Sequence, residues 1–136
     1  NPMGDQVQFL GYKSQAEVAG LMKAADIFVL PSFAEGVPVV LMEALASHLA
    51  VIATRVAGVS ELVEDGTSGL VVPPGHVEAL MEAICMLAAD PDRRATMAAA
   101  GHAKVLEDFD IRIEAARLLT LITGQEGDAL RPDPHD

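Results

Sequence analysis

Ala25-Asp26-Ile27-Phe28-Val29-Leu30-Pro31, followed by Val39-Val40-Leu41-Met42-Glu43-Ala44-Leu45-Ala46 and then Ala50-Val51-Ile52-Ala53-Thr54, is the stretch that decides the fold. Ile27 to Leu30 is apolar at every position, which a strand covered on both faces of a parallel sheet requires, and Pro31 ends it. Residues 39–46 read as a helix apolar nearly all round, hence buried. Ala50 to Thr54 reads as another buried strand. Strand, helix, strand with a crossover of this length predicts a right-handed βαβ unit.

Working outward, Val7-Gln8-Phe9-Leu10 alternates and is closed by Gly11, predicting a first strand and a tight turn. Ser14 is placed to cap a helix over Gln15 to Ala25, with Val18, Leu21, Met22 and Ala25 on one face. Downstream, Gly58 and Ser60 open a short helix through Val63, and Gly69-Leu70-Val71-Val72 reads as a fourth strand before Pro73-Pro74-Gly75. Beyond Gly75 the pattern is helical. Val77, Leu80, Met81, Ile84 and Ala88 mark one face, Asp90-Pro91 interrupts, and a helix resumes from Asp92 to Glu107. A last helix is predicted from Ile111 to Ile122, with Ile111, Ala115, Leu118, Leu119 and Ile122 in need of a partner surface. This gives an α/β class: a Rossmann-like, doubly wound parallel sheet with a helical C-terminal segment. Residues 1–123 form the domain, and 124–136, rich in Pro and acids, read as a disordered tail.

Composition bounds the function. The chain has 136 residues, 51% hydrophobic but only 4% aromatic, so its core is aliphatic. Twenty acids against nine bases give a net charge of −11, which repels nucleic acid and anionic lipid surfaces. A nucleotide remains compatible, because amides at a helix N-terminus hold phosphates whatever the net charge. A single cysteine, Cys85, excludes a disulfide framework and reads as core packing. No run approaches the length of a membrane span, and a cytoplasmic protein is expected. No two of the four His have metal-ligand spacing: His76 is expected to cap or flank a helix, and His102 to sit on an exposed helix face. Ser60 and Ser68 lack a nucleophile elbow.

The chemistry concentrates at Pro31-Ser32-Phe33-Ala34-Glu35-Gly36-Val37-Pro38-Val39-Val40-Leu41-Met42-Glu43, where a strand ends and a helix begins. Open α/β sheets bind ligands at such a point, and free amides with the positive helix end favour a diphosphate. Gly36 permits close backbone approach. Glu35 in the loop and Glu43 in the helix can face one cleft and grip vicinal hydroxyls of a sugar or ribose. A bland reading has equal standing on spacing alone: Glu35 as an ordinary loop acid and Glu43 paired with Arg55.

Phe9-Leu10-Gly11, the run Ala25 to Ser32, the Glu35/Glu43 pair, Ala53-Thr54, Gly58, Glu61-Leu62-Val63, Asp65-Gly66, Gly69 to Val72 and Pro73-Pro74-Gly75 occur in an order that resembles the retaining GT-B glycosyltransferases. That large family includes sucrose synthases and many bacterial polysaccharide transferases. The resemblance covers about two thirds of the chain and implies that it is the C-terminal, donor-binding half of a GT-B fold. By it, Glu35 is catalytic, contacting the donor sugar beside the reacting carbon, and Glu43 holds the ribose. Amides of Gly36, Val37, Val39 and Val40 meet sugar and diphosphate, Ser32 belongs to the same donor site, and Tyr12 and Lys13 lie near the base. The implied substrate is a UDP-, GDP- or ADP-sugar, with no cofactor, no metal, and retention of configuration.

The resemblance also implies an N-terminal acceptor domain and an upstream Arg and Lys that this sequence does not contain. The 136 residues therefore read as a piece that is inactive alone, of an enzyme working in the cytoplasm or peripherally at the inner membrane face. Rival readings are a non-catalytic nucleotide-sugar-binding module, a GT-B nucleotide-sugar epimerase, and an interaction domain, with the last predicted helix a candidate homodimer surface. One departure concerns stability: the family usually has Gly and Pro where this chain has His48 and Ala50, and a helix-terminal Gly often sits at positive φ.

Overall fold

The computed structural model describes residues 6–31 and 39–108. Three strands, β1 (Ile27–Leu30), β2 (Ala50–Thr54) and β3 (Leu70–Val72), form a parallel sheet in the order β1-β2-β3. The register sets Ile27 against Ala50 and Ile52 against Leu70. The helices are α1 (Gln15–Ala24), α2 (Val39–Ala46), α3 (Val59–Leu62), α4 (Val77–Ala89) and α5 (Pro91–Asp108).

Successive strand residues point to opposite faces, and both faces are covered. On one, Val51 and Ala53 pack with Leu41, Leu45, Val59, Leu62 and Val105. On the other, Ala50, Ile52, Leu70 and Val72 pack with Ala83, Leu87 and Met97. The predicted doubly wound sheet is therefore present, with β2 fully buried at its centre. Helix α5 serves both faces, since Met97 belongs to one cluster and Val105 to the other. It is closely apposed at Gly101, where an added Cβ would stand 2.7 Å from Leu45 Cδ2 and 3.0 Å from the Ser68 carbonyl oxygen.

Local chemistry explains the helix ends. Ser14 and Glu17 close a reciprocal capping box on α1: Glu17 N–H donates to Ser14 Oγ, and Ser14 N–H donates to Glu17 Oε1, each at 3.2 Å. Asp90 Oδ1 accepts from Arg93 N–H at the start of α5. Arg94 Nη1 donates back to the carbonyls of Leu87 and Ala88, satisfying the C-terminal end of α4. His76 caps α4 as expected, its Nδ1 accepting from Ala79 N–H at 3.0 Å.

Five expectations need correction. Residues 7–10 are exposed coil rather than a strand, with Phe9 92% exposed, because no strand among the described residues offers them a ladder. Strand β1 is half-buried along its length rather than covered, since it forms the edge of the described sheet. The face of α1 buries Met22 and half-buries Val18, but leaves Leu21 and Ala25 exposed. The buried side of α4 is Ala83 and Leu87 with Ala79 and Leu80 beside them, while Val77, Met81, Ile84 and Ala88 are exposed. Cys85 is exposed too, because it shares a side of α4 with Glu78 and Glu82 and not with Leu87. The helix predicted over 111–122 and the tail over 124–136 lie outside the described residues.

Candidate functional site

The first turn of α2 meets the start of α1 across a cleft of about 280 Å³, lined by Lys13, Gln15, Val18, Val39, Val40 and Glu43. Helix α2 is held there by its opposite side: Leu41, Met42, Ala44 and Leu45 are buried in the core. That leaves Glu43 exposed on the cleft side, one turn in from Val39 and Val40. The capping box defines the start of α1 at Ser14, with Lys13 and Gln15 on either side of it. The cleft thus combines an apolar wall of three valines with a carboxylate and an ammonium. An exposed carboxylate offers two acceptor oxygens for vicinal hydroxyls, and Lys offers only donors.

The alternative partner for Glu43 is engaged elsewhere: Arg55 reaches Asp65, Nη2 to Oδ2 4.0 Å, and Asp65 Oδ1 also accepts from Val71 N–H at 3.0 Å. Of the residues singled out from sequence, Lys13, Val39, Val40 and Glu43 come together in one cleft. Tyr12 is 95% exposed and does not line it. Ser32, Glu35, Gly36 and Val37 lie outside the described residues. Gln15 and Val18 are cleft residues that sequence reasoning missed. Val18 was assigned to the core by its helical spacing, and it serves both, being half-buried against the core cluster while lining the cleft.

Lys13 is itself tethered, its Nζ 3.5 Å from Glu17 Oε2. The Glu17 carboxyl is held below its ordinary range, first by the Ser14 backbone N–H, then by the Ser14 side chain and least by Lys13, against an opposing effect of desolvation.

A second, smaller pocket of about 150 Å³ opens at the carboxyl ends of all three strands, walled by Pro31, Thr54, Val72, Pro73 and Leu80 with His76 and Val77 at the start of α4. Among the described residues no group of three or more His, Cys, Asp or Glu could hold a metal ion, and no helix is long and apolar enough to cross a membrane. His102 is not on an open helix face: its ring stacks on His48 at 3.5 Å between centroids, and its Nδ1 lies 3.1 Å from the Ala46 carbonyl oxygen.

A doubly wound α/β domain with a mixed apolar and charged cleft beside the first turn of α2 falls in the Rossmann-like class. The sequence profile described as "Glycosyl transferases group 1" matches residues 2–90, and the chain belongs to that family. It is 34% identical over 124 residues to the amylovoran biosynthesis glycosyltransferase AmsK of Erwinia amylovora, covering 87% of this chain and 30% of AmsK. Among solved structures it resembles sucrose-phosphate synthase from Thermosynechococcus elongatus, with a TM-score of 0.76, 32% identity, and coverage of 89% of this chain and 31% of that one. It also resembles HepE of Anabaena in complex with UDP, with a TM-score of 0.74, 28% identity, and coverage of 90% and 34%. The chain spans about a third of the length of each.

Proposed function

We propose that this chain is the donor-binding domain of a retaining glycosyltransferase, which takes a nucleoside diphosphate sugar and, in a longer protein, passes the sugar to a polysaccharide or glycolipid acceptor. The observation that carries this reading is the convergence of Glu43, Lys13 and the first turn of α2 on one cleft. Glu43 accepts from the two ribose hydroxyls. Amides at the start of α2, including those of Val39 and Val40, and of Gly36 and Val37 before it, hold the diphosphate, where the helix dipole favours negative charge. Pro38 donates nothing, so the phosphate grip skips it. Lys13 flanks the base, and Glu35, with Ser32 nearby, contacts the sugar beside the reacting carbon. The leaving diphosphate is stabilised electrostatically, without a metal.

Two likenesses support the reading. HepE has been solved with UDP and with UDP-glucose, and AmsK is named as a glycosyltransferase of amylovoran biosynthesis. The acceptor domain, and the basic groups that complete the diphosphate site, belong to the longer protein. Catalysis is placed in the cytoplasm or at the inner membrane face.

Calorimetric titration of the chain with UDP, GDP and ADP, and with their sugar conjugates, tests the reading. Saturable binding of one nucleotide is expected, weakened in Glu43→Ala by about 1.5–3 kcal/mol, the worth of hydrogen bonds to a charged group. Equal binding by wild type and Glu43→Ala would remove Glu43 from the ribose site.

A further inference from the structure

The ion pair at the start of α1 is poorly placed to stabilise the helix. Lys13 immediately precedes the N-cap Ser14, so its positive charge sits at the positive end of the helix dipole. Its order along the chain, Lys before Glu at i,i+4, is the less favourable orientation of such a pair. Glu17 is well exposed, at 56%, and Lys13 partly so, at 34%, and ion pairs at such a surface contribute little to folding. The capping box needs only an acceptor at position 17, which Gln supplies as well as Glu. The negative charge on Glu17 suits the helix N-terminus whether or not Lys13 is there, so it is the pairing with Lys13 that is surplus to the helix end.

Lys13 in turn lines the cleft with Glu43. A free lysine has four rotatable side-chain bonds and gives up most of that conformational freedom when fixed. A group already tethered at the cleft loses less on binding. Resting on the reading of this cleft as a nucleotide site, we propose that Glu17 is a positioning residue: one carboxylate oxygen closes the α1 capping box while the other holds the Lys13 ammonium at the cleft rim, ready for a nucleoside diphosphate. Glu17 does not line the cleft, and it acts through Lys13. On ligand binding the ammonium stays oriented by Glu17 while its remaining N–H donors face the nucleotide.

The test is a double-mutant cycle on the 136-residue chain, titrated with UDP, GDP and ADP. Glu17→Gln preserves the capping box and releases Lys13; it is expected to weaken binding by about two- to five-fold, the scale of an exposed ion pair. Loss of the first-turn charge should also lower its melting temperature slightly, whereas Lys13→Met leaves cap and charge intact and should not, so a binding loss common to both variants separates positioning from helix stability. Lys13→Met should weaken binding at least as much, and Glu17→Gln added to it should cost nothing further. Unchanged or tighter binding in Glu17→Gln, or losses that add in the double variant, would overturn the proposal. The two readings fail differently: wild-type binding that depends on Glu43 but not on Glu17 sinks only the positioning role, whereas no nucleotide binding by wild type sinks both.

Discussion

His48 has φ of 60°, the left-handed region that favours glycine, and the geometry around it shows why a helix end needs that turn. His48 N–H donates to the Leu45 carbonyl and Leu49 N–H to that of Ala44, a paired closure of α2 that requires a left-handed residue between helix and strand. The left-handed conformation costs a non-glycine residue about 1–2 kcal/mol. Stacking on His102 offsets part of that, about 0.5–1.5 kcal/mol for an aromatic pair, and His102 also donates from Nδ1 to the Ala46 carbonyl. Two substitutions separate the terms. His48→Ala keeps the strain and loses the stack, so it should destabilise by about 0.5–1.5 kcal/mol. His48→Gly loses both and should be close to wild type or slightly more stable. Urea melts of the two variants check this; equal destabilisation would show that the backbone strain is negligible. The left-handed need was legible in the sequence as a departure at position 48, whereas the compensating partner, 54 residues downstream, carried no sequence signal.

At the scale of elements, one kind of substitution should have opposite signs at two glycines. Gly69 leads into β3, and a Cβ there would lie 2.7 Å from Val51 Cγ2, 2.8 Å from Val63 Cγ1 and 3.0 Å from the Val51 carbonyl oxygen. Both neighbours are β-branched and stiff, so the strand cannot yield cheaply. Gly69→Ala should destabilise by about 1–3 kcal/mol, the cost of overpacking. Gly20, on α1, has no atom within 4 Å of such a Cβ, and Gly20→Ala should stabilise by about 0.5–1 kcal/mol through helix propensity. Chemical denaturation of both variants provides the measurement, and a destabilised Gly20→Ala would mean that α1 contacts something outside the described residues. Elements whose two faces differ sharply, or that are buried throughout, were legible in the sequence: α2, β2 and β3 occur where the apolar runs placed them. Helix α4 was not read correctly, because eleven of its residues carry no charge and the longest apolar spacing is not the buried one. Its wet side is marked by Glu78 and Glu82, one turn apart, and Leu80, Ala83 and Leu87 lie opposite them. Following the charges would have located the core face. The cleft was half legible, since the strand-to-helix transition pointed to Val39, Val40 and Glu43, but Gln15 enters it only because the start of α1 lies across from α2 in the fold.

At the scale of the whole molecule, acids outnumber bases by more than two to one, and the described ion pairs, Lys13–Glu17 and Arg55–Asp65, are exposed and long. Such pairs contribute roughly 0–1 kcal/mol each, so little stabilising attraction is there to be screened. The net charge of −11 acts the other way. Folding brings the carboxylates closer together than they are in the unfolded chain, and their mutual repulsion opposes the compact state. Raising ionic strength from about 0.01 to about 0.1 M shortens the screening length from about 30 to about 10 Å, enough to damp repulsion across a domain of this size. The aliphatic core is indifferent to that change, since β2, Leu41, Leu45 and Leu87 are buried and uncharged. The melting temperature should therefore rise with sodium chloride over this range, by roughly 2–4 °C, corresponding to about half to one kcal/mol. Differential scanning calorimetry at the two salt concentrations measures it directly. A fall instead of a rise would mean that attractive pairs outweigh the net repulsion, which would place compensating basic contacts beyond the two described.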